Sequence, residues 1–249
     1  MNPTRLAIYL GVPLVVLGAW FVLAASGTVN PFLLPAPADV LADLGSVLTD
    51  GETYPHLWTT ASQVLAAFLL AAAIGIGIGL PLGWYRTLRR AYEPVLGTVY
   101  AVPLIVLYPV IALSFGIGST SKIVFGALYA FFPIVLGTVS AVALVDQNLV
   151  SAGRSMGARG LTLFRAVVLP AAGPRIMAGL RLGVILATLA VVGGQYIAGT
   201  SGLGYLLATA GQSFQTVQMF AYILLTLAFA ALVNGLMAAL DHYSNRSYR

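Results

Sequence analysis

Long apolar blocks separated by short polar segments set the pattern of the chain. An α-helix needs about 20 mostly apolar residues to cross the hydrocarbon core of a bilayer. Most of the blocks approach or exceed that length without a charge, and a turn-like segment at residues 199–205 divides the last stretch in two. The pattern predicts an all-α polytopic membrane protein with about six transmembrane helices, near residues 6–25, 57–84, 94–115, 123–144, 182–198 and 219–240.

Two of the predicted helices carry internal features. The glycine run at residues 75–79 lets helix backbones approach one another closely. It also resembles a phosphate-binding loop, but no GK[ST] follows and the run lies inside an apolar span. In the third block, Pro103 and Pro109 predict a kinked or broken helix.

The first 56 residues are predicted to form an N-terminal transmembrane helix and a periplasmic segment. The first apolar block has two interpretations: a signal peptide, for which LAAS offers small residues at a cleavage site, or an uncleaved anchor. Its length favours the anchor. After it, Asp39 is predicted to cap a short amphipathic helix whose apolar side carries Val40, Leu41, Leu44 and Val47.

Composition agrees with a membrane protein and narrows the chemistry. Hydrophobic residues make up 59% of the chain and charged residues 8%, with a mean hydropathy of +0.95. A soluble domain needs far more charge to cover its surface. The absence of cysteine removes thiol chemistry and disulfides, and two histidines make a histidine-based metal site unexpected.

The basic residues predict the topology. Cytoplasmic segments of membrane proteins are enriched in arginine and lysine. With six spans and both termini in the cytoplasm, the predicted outer segments hold only Lys122, and the inner ones hold Arg5, Arg86, Arg89, Arg90, Arg154, Arg159, Arg165, Arg175, Arg181, Arg246 and Arg249. The net charge of +5 is then a topology signal, and no nucleic-acid partner is expected.

The spans lack ionisable groups at mid-membrane, which proton- and ion-coupled carriers usually need. No HExxH, GxSxG or buried carboxylate pair is present, so no catalytic residue is expected. If the chain transports a solute, a partner on its cytoplasmic face must supply the energy. Two alternatives stay open: a carrier or channel that works alone, and a membrane-embedded scaffold or receptor.

A candidate surface for such a partner lies at residues 151–176, which hold four arginines and no acid. Asp146 or Asn148 can start a short helix that Gly157 ends, with an apolar stripe of Leu149, Ala152 and Met156. A second short helix is predicted from near Thr162 to before Pro170, with Leu161, Phe164 and Val168 along one side. Two short helices with apolar knobs can dock in a groove, whereas a mere topology anchor needs only the arginines.

The same segment resembles a known family. The run G-x9-V-x-L-P, formed by Gly157, Val167, Leu169 and Pro170, is similar to the cytoplasmic EAA loop of ABC-importer permeases. Ser151, Ala152 and Gly153 occupy the EAA positions, so serine replaces the acidic residue. LLPAPADVLADL, FGIGSTSKI and GTSGLGYLL resemble, in the same order, segments of the sulfonate, taurine and nitrate importer permeases.

The resemblance implies a type I ABC importer fold in the bacterial plasma (inner) membrane. A permease core would cover residues 57–241, with a coupling helix near residues 148–170 and a cytoplasmic tail at residues 242–249. Two copies of the chain would form the pathway, cytoplasmic ATPase subunits would bind ATP and Mg²⁺, and a periplasmic or extracellular solute-binding protein would deliver the solute. The chain itself would bind no cofactor, and its substrate would be a small organic solute such as a sulfonate, taurine, nitrate or a vitamin precursor.

The implied site residues fall into two groups. The coupling group is Ser151, Ala152, Gly153, Met156, Gly157, Phe164, Val167, Leu169 and Pro170. The candidate pathway group is Tyr129, Gln195, Tyr196 and Gln212. Residues 201–205 are predicted to form a tight turn at the outer end of the fifth span, where Ser201 and Tyr205 would frame an outer gate.

Overall fold

A computed structural model describes the backbone of residues 3–246 and the side chains of residues 14–242. A 3₁₀ turn, Leu104–Leu107, precedes α5, and a π-helical turn, Phe164–Val168, joins α8 to α9. The α-helices of the described part are α1 (Pro3–Ala25), α2 (Pro37–Thr49), α3 (Thr53–Trp84), α4 (Arg86–Tyr100), α5 (Tyr108–Phe115), α6 (Ser119–Ala143), α7 (Gln147–Ser155), α8 (Gly160–Leu163), α9 (Leu169–Ala198), α10 (Leu203–Gln212) and α11 (Thr216–Arg246).

Four helical stretches are long and apolar enough to cross a membrane, and they contain α3, α6, α9 and α11. A fifth crossing results if α4 and the segment Leu104–Phe115 form one broken span, bent by 78°. The break adjoins Pro103, which confirms the predicted interruption of the third block. The number of six spans and the orientation of the termini stay predictions.

Two helices extend beyond the predicted spans. The segment with Arg86, Arg89 and Arg90, which precedes the predicted span at Pro94, is helical, since α4 begins at Arg86 and continues past that proline. The helix that contains the predicted fifth span begins at Leu169, upstream of Leu182. Hydropathy places a helix end where the charges begin, but these arginines lie on exposed or half-buried helix faces, where the chain remains helical.

The capping prediction for α2 was wrong. The helix begins at Pro37, so Asp39 lies in its first turn, and the N-cap residue is Ala36 without a side-chain cap. Proline at the first helical position has the fixed φ that a helix needs, and the N-cap lies three residues upstream of the predicted one. Val40 and Val47 are buried as predicted, whereas Leu41 is 61% exposed.

Close glycine contacts hold α6 against α3. A Cβ atom on Gly75 would lie 2.8 Å from Ile134 Cγ2, and one on Gly79 would lie 2.6 Å from Thr138 Cβ. Nothing lies within 4 Å of the corresponding position on Gly77. The glycine run therefore does bring two backbones together, through the members that are four residues apart and share one helix face.

The other side of α6 packs in the same way on α9. A Cβ atom on Gly137 would lie 3.0 Å from Gly179 Cα, and one on Gly183 would lie 2.6 Å from Ile134 Cδ1. Thus α6 lies between α3 and α9 at the centre of the bundle. We call the end of the bundle that carries α7 the inner end, and the end that carries α10 the outer end.

Candidate functional site

Local hydrogen bonds fix both ends of α7 at the inner end. The Asp146 carboxylate accepts a bond of 2.8 Å from the N–H of Asn148, which caps the start of the helix. At the other end Gly157 has φ +88°, and the N–H groups of Gly157 and Ala158 donate to the carbonyls of Arg154 and Gly153, each at 3.0 Å. This pair of bonds is the Schellman motif. The predicted start and stop of the helix are confirmed.

The predicted apolar stripe of α7 is exposed. Leu149 is 50% and Met156 87% exposed, and Ala152 between them is also exposed. The opposite side of the helix, Val150 and Gly153, is buried. A short, capped helix thus presents an apolar row that no described residue covers, which suits docking in the groove of a partner.

Gly153 fixes how α7 packs on the segment that follows it. A Cβ atom at this position would lie 2.9 Å from Leu163 Cδ1 and 2.9 Å from Val167 Cγ2. The third EAA position is therefore a point of close contact between two elements, and glycine allows the contact.

The prediction of a separate second helix that ends before Pro170 was wrong. The chain is helical from Gly160 through the π-helical turn into α9, without a break at Pro170. Proline lacks an N–H group, and its ring clashes with the carbonyl four residues earlier in a regular α-helix. In the wider π turn the N–H of Leu169 bonds instead to the carbonyl of Phe164, five residues earlier.

The apolar side of this segment also differs from the prediction. Leu163 and Val168 are buried at 2% and 1% exposure, whereas Leu161 is 60% exposed. Phe164 is half-buried and meets Trp84 at the end of α3 edge-on, with ring centroids 5.2 Å apart. The segment is thus attached both to α7 and to the end of α3.

The structure brings the nine predicted coupling residues together at the inner end. The positions open to a partner are Ser151, Ala152, Met156 and Gly157. The positions that hold the helix in place are Gly153, Phe164, Val167, Leu169 and Pro170.

At the outer end Gln195 is the centre of a buried polar cluster. Its side chain is 1% exposed. Its Oε1 atom accepts bonds of 3.1 Å from the Thr60 hydroxyl and from the N–H of Gly204, and its Nε2 atom donates 2.9 Å to Gln63 Oε1. Gln63 in turn donates 2.9 Å to the Ser119 hydroxyl. The cluster joins α3, α6, α9 and α10.

The same cluster replaces a local cap at the start of α10. The N–H groups of three consecutive residues, Gly202, Leu203 and Gly204, donate to His56 Nδ1, Thr60 Oγ1 and Gln195 Oε1 at 2.9, 2.9 and 3.1 Å. Gly202 has φ +104°, which confirms the predicted tight turn. Tyr205, predicted at an outer gate, stacks on His56 with ring centroids 5.7 Å apart, and Ser201 nearby is half-buried.

The other predicted pathway residues lie apart from this cluster. Tyr196 is 51% exposed and borders an apolar cavity of about 690 Å³ between α9 and α11. Tyr129 is half-buried and meets Phe125 edge-on at 4.9 Å between ring centroids. Gln212 is exposed at the last residue of α10. The four residues therefore do not share one cavity.

Sequence reasoning missed the part that Lys122 plays. Its side chain is 2% exposed, and its amino group donates to the carbonyls of Ile117 and Ala198, the latter at 2.7 Å. Ala198 is the last residue of α9. The last four carbonyls of an α-helix have no partner within the helix. The amino group of Lys122, the one lysine of the chain, thus caps the outer end of that helix.

The described residues contain no group of three or more His, Cys, Asp or Glu side chains that could hold a metal ion.

Comparisons with known proteins agree on one class. Residues 71–243 match the model of a family described as binding-protein-dependent transport system inner membrane component. The taurine transport system permease protein of Escherichia coli is 30% identical over 217 residues, which cover 85% of this chain and 79% of that protein. The riboflavin transport system permease protein of Chloroflexus aurantiacus is 35% identical over 209 residues, which cover 84% and 78%. The inward-facing MetNI methionine ABC transporter has a similar fold, with a TM-score of 0.63, 21% identity, and coverage of 76% of this chain and 98% of that one.

Proposed function

The chain belongs to the family of binding-protein-dependent transport system inner membrane components, and we propose that its inner end is the coupling element through which a separate ATPase drives solute import. It is a transmembrane permease subunit of an ABC importer and a non-catalytic transport component. Its apolar helices place it in the bacterial inner membrane as a multi-pass protein.

The observation that carries the coupling proposal is the exposed stripe of Leu149, Ala152 and Met156 on a helix with both ends capped. The stripe would insert into a groove of the ATPase. Gly153 and the π-helical turn would pass its displacement to α9, because only residues 156–159 between α7 and α8 are not helical.

The proposed partners follow from the family. Cytoplasmic ATPase subunits would bind ATP and Mg²⁺, and this chain would bind neither. A solute-binding protein would deliver solute at the outer end, and a second copy of the permease would complete the pathway. ATP binding would favour one arrangement of the helices over the other by its differential affinity for the two.

The proposed substrate is a small organic solute such as a sulfonate, taurine, nitrate or a vitamin precursor. The relatives named for taurine and riboflavin support this class. Of the predicted pathway residues, Tyr196 borders a cavity between α9 and α11 that has room for such a molecule. Tyr129, Gln195 and Gln212 stay predictions for the pathway, and Gln195 would act there through the helices it joins.

Substitution on the docking stripe tests the coupling proposal. We expect Ala152→Glu to abolish ATP-dependent uptake and co-purification of the ATPase, because a buried, unpaired carboxylate in the groove is strongly unfavourable. The matched control is Thr162→Glu, which adds the same charge at an exposed position of α8 that belongs to neither the stripe nor the coupling group. Thr162→Glu should leave both measurements near the wild-type level, and both variants should reach the membrane in equal amounts.

Two outcomes would refute the proposal. Normal uptake and ATPase binding by Ala152→Glu would remove the stripe from the coupling contact. Uptake by the purified chain in liposomes without any ATPase would instead favour the carrier or channel.

A further inference from the structure

Three arginines surround one pocket at the inner end. Arg86 and Arg89 come from the start of α4, and Arg154 comes from α7. The pocket has a volume of about 530 Å³, and no acidic residue lines it. Its remaining walls come from the end of α3 and from apolar residues of α6 and the segments after it, and they include Gly83, Trp84, Val142, Val145, Val150 and Val168.

The structure shows no ion pair between the arginines of this pocket and an acidic residue of the described part of the chain. Arg175 donates 2.8 Å to the Leu144 carbonyl, and Arg181 donates 3.1 Å to Asn234 Oδ1. Arg86, Arg89 and Arg154 have no such partner among the described residues. Neighbouring like charges repel each other, most strongly beside a medium of low dielectric constant. The pocket is therefore suited to an anion.

The docking stripe of α7 does not include this pocket. At about 100° per residue, Arg154 lies roughly 165° around the helix from the centre of the stripe formed by Leu149, Ala152 and Met156. Arg154 thus faces the side of the bundle, and a partner seated on the stripe leaves the pocket to another ligand.

A second pocket adjoins the first and is mostly apolar. It has a volume of about 290 Å³ and shares Trp84 with the arginine pocket. Its other lining residues are Leu80, Pro81, Tyr85, Gly160, Leu161 and Phe164. Tryptophan and tyrosine are enriched where transmembrane helices meet the lipid headgroups, and Trp84 and Tyr85 stand at the end of α3.

We propose that the arginine pocket binds the phosphate headgroup of an anionic membrane phospholipid, with the first part of an acyl chain in the adjoining pocket. Guanidinium groups bind phosphate oxygens through strong charge-assisted hydrogen bonds. Basic pockets between transmembrane helices are known to accept anionic lipid headgroups. The apolar second pocket favours a phospholipid over a free phosphate, because a free phosphate has no apolar part that could fill this pocket.

The test compares two triple variants that remove the same charge. The first is Arg86→Gln, Arg89→Gln and Arg154→Gln, and the control is Arg90→Gln, Arg159→Gln and Arg165→Gln, which removes exposed arginines that do not line the pocket. The full chain is placed in phosphatidylcholine nanodiscs with a minor fraction of phosphatidylglycerol. Native mass spectrometry then measures the phosphatidylglycerol that stays bound after detergent release.

We expect the pocket variant to lose affinity for phosphatidylglycerol on the order of 100-fold, at roughly fivefold for each arginine that faces the bound headgroup. The control variant should stay within a few-fold of the wild type. Melting temperatures in pure phosphatidylcholine confirm folding, and the single variant Arg154→Gln, at an exposed position, should show its own fivefold loss.

Equal retention by all proteins, or equal loss in both triple variants, would overturn the proposal. A separate arm adds inorganic phosphate or glycerol phosphate to phosphatidylcholine nanodiscs. Arginine-dependent binding of these soluble anions without retention of phosphatidylglycerol would assign the pocket to a soluble ligand and would also overturn it.

Discussion

Replacing Gln195 with leucine tests whether the outer polar cluster holds α10 in place. Leucine keeps much of the side-chain volume but removes every polar atom. The change takes the acceptor away from the N–H of Gly204 and the donor away from Gln63 Oε1. The Thr60 hydroxyl still has the His56 carbonyl at 3.2 Å. Two groups are thus left without a partner in the interior.

The expected cost follows from these two groups. A buried polar group without a partner costs about 1–3 kcal/mol, which gives roughly 2–6 kcal/mol for the pair. The apolar surface of leucine offsets about 1–2 kcal/mol of this. The centres of these two ranges, about 4 and about 1.5 kcal/mol, give an expected loss of about 2.5 kcal/mol in the free energy of unfolding of Gln195→Leu. The double variant with Gln63→Leu should cost less than the sum of the single variants, because it leaves only one of the two groups unpaired.

Unfolding by sodium dodecyl sulfate in mixed micelles would measure the stabilities, and hydrogen exchange would report on the start of α10. The Gly204 amide should exchange faster in Gln195→Leu, and Tyr196→Leu, at the exposed neighbouring position, should change neither quantity by more than a few tenths of a kcal/mol. A loss below about 1 kcal/mol in Gln195→Leu, or strict additivity with Gln63→Leu, would refute the assignment.

Two further predictions concern packing and the closed end of α9. Gly79→Ala should destabilise the chain by about 1–3 kcal/mol relative to Gly77→Ala in the same unfolding assay, because only the methyl group at position 79 contacts α6. Equal stability of the two variants would exclude the close contact. Lys122→Met should lower the melting temperature and expose the junction of α9 and α10 to proteolysis, because the carbonyls of Ile117 and Ala198 lose their donor. An unchanged rate of proteolysis would show that the amino group does not stabilise this junction.

Short-range chemistry made much of the inner end predictable from the sequence. The start of α7 at Asp146 and its stop at Gly157 depend on bonds between residues at most five apart, so they can be read locally. The helix that runs through Pro170 could not be read in this way. Whether a proline ends a helix or is accommodated by a wider turn depends on what holds the helix on both sides, and here Val168 is buried in the core.

Long-range contacts explain what was missed at the outer end. His56 and Gly202 are separated by 146 residues, and Thr60 and Gln195 by 135, although their side chains and N–H groups share one cluster. A single polar residue in an apolar span does not reveal its partner. Lys122 was expected in an outer segment because it belongs to the turn between the third and fourth predicted spans, and its burial follows from carbonyls that it reaches in that turn and at the end of α9.

The unbroken helix from the π-helical turn to Ala198 makes α9 one rigid rod that joins the two ends of the bundle and can pivot at its inner end. At about 1.5 Å per residue, its 30 residues measure about 45 Å. A tilt of about 5° at the inner end would carry the outer end about 4 Å, which exceeds the length of a hydrogen bond. This displacement would break the hydrogen bonds between Gln195 on α9 and Thr60 and Gln63 on α3. A small tilt of α9 at one membrane surface would thus release the polar cluster at the other surface.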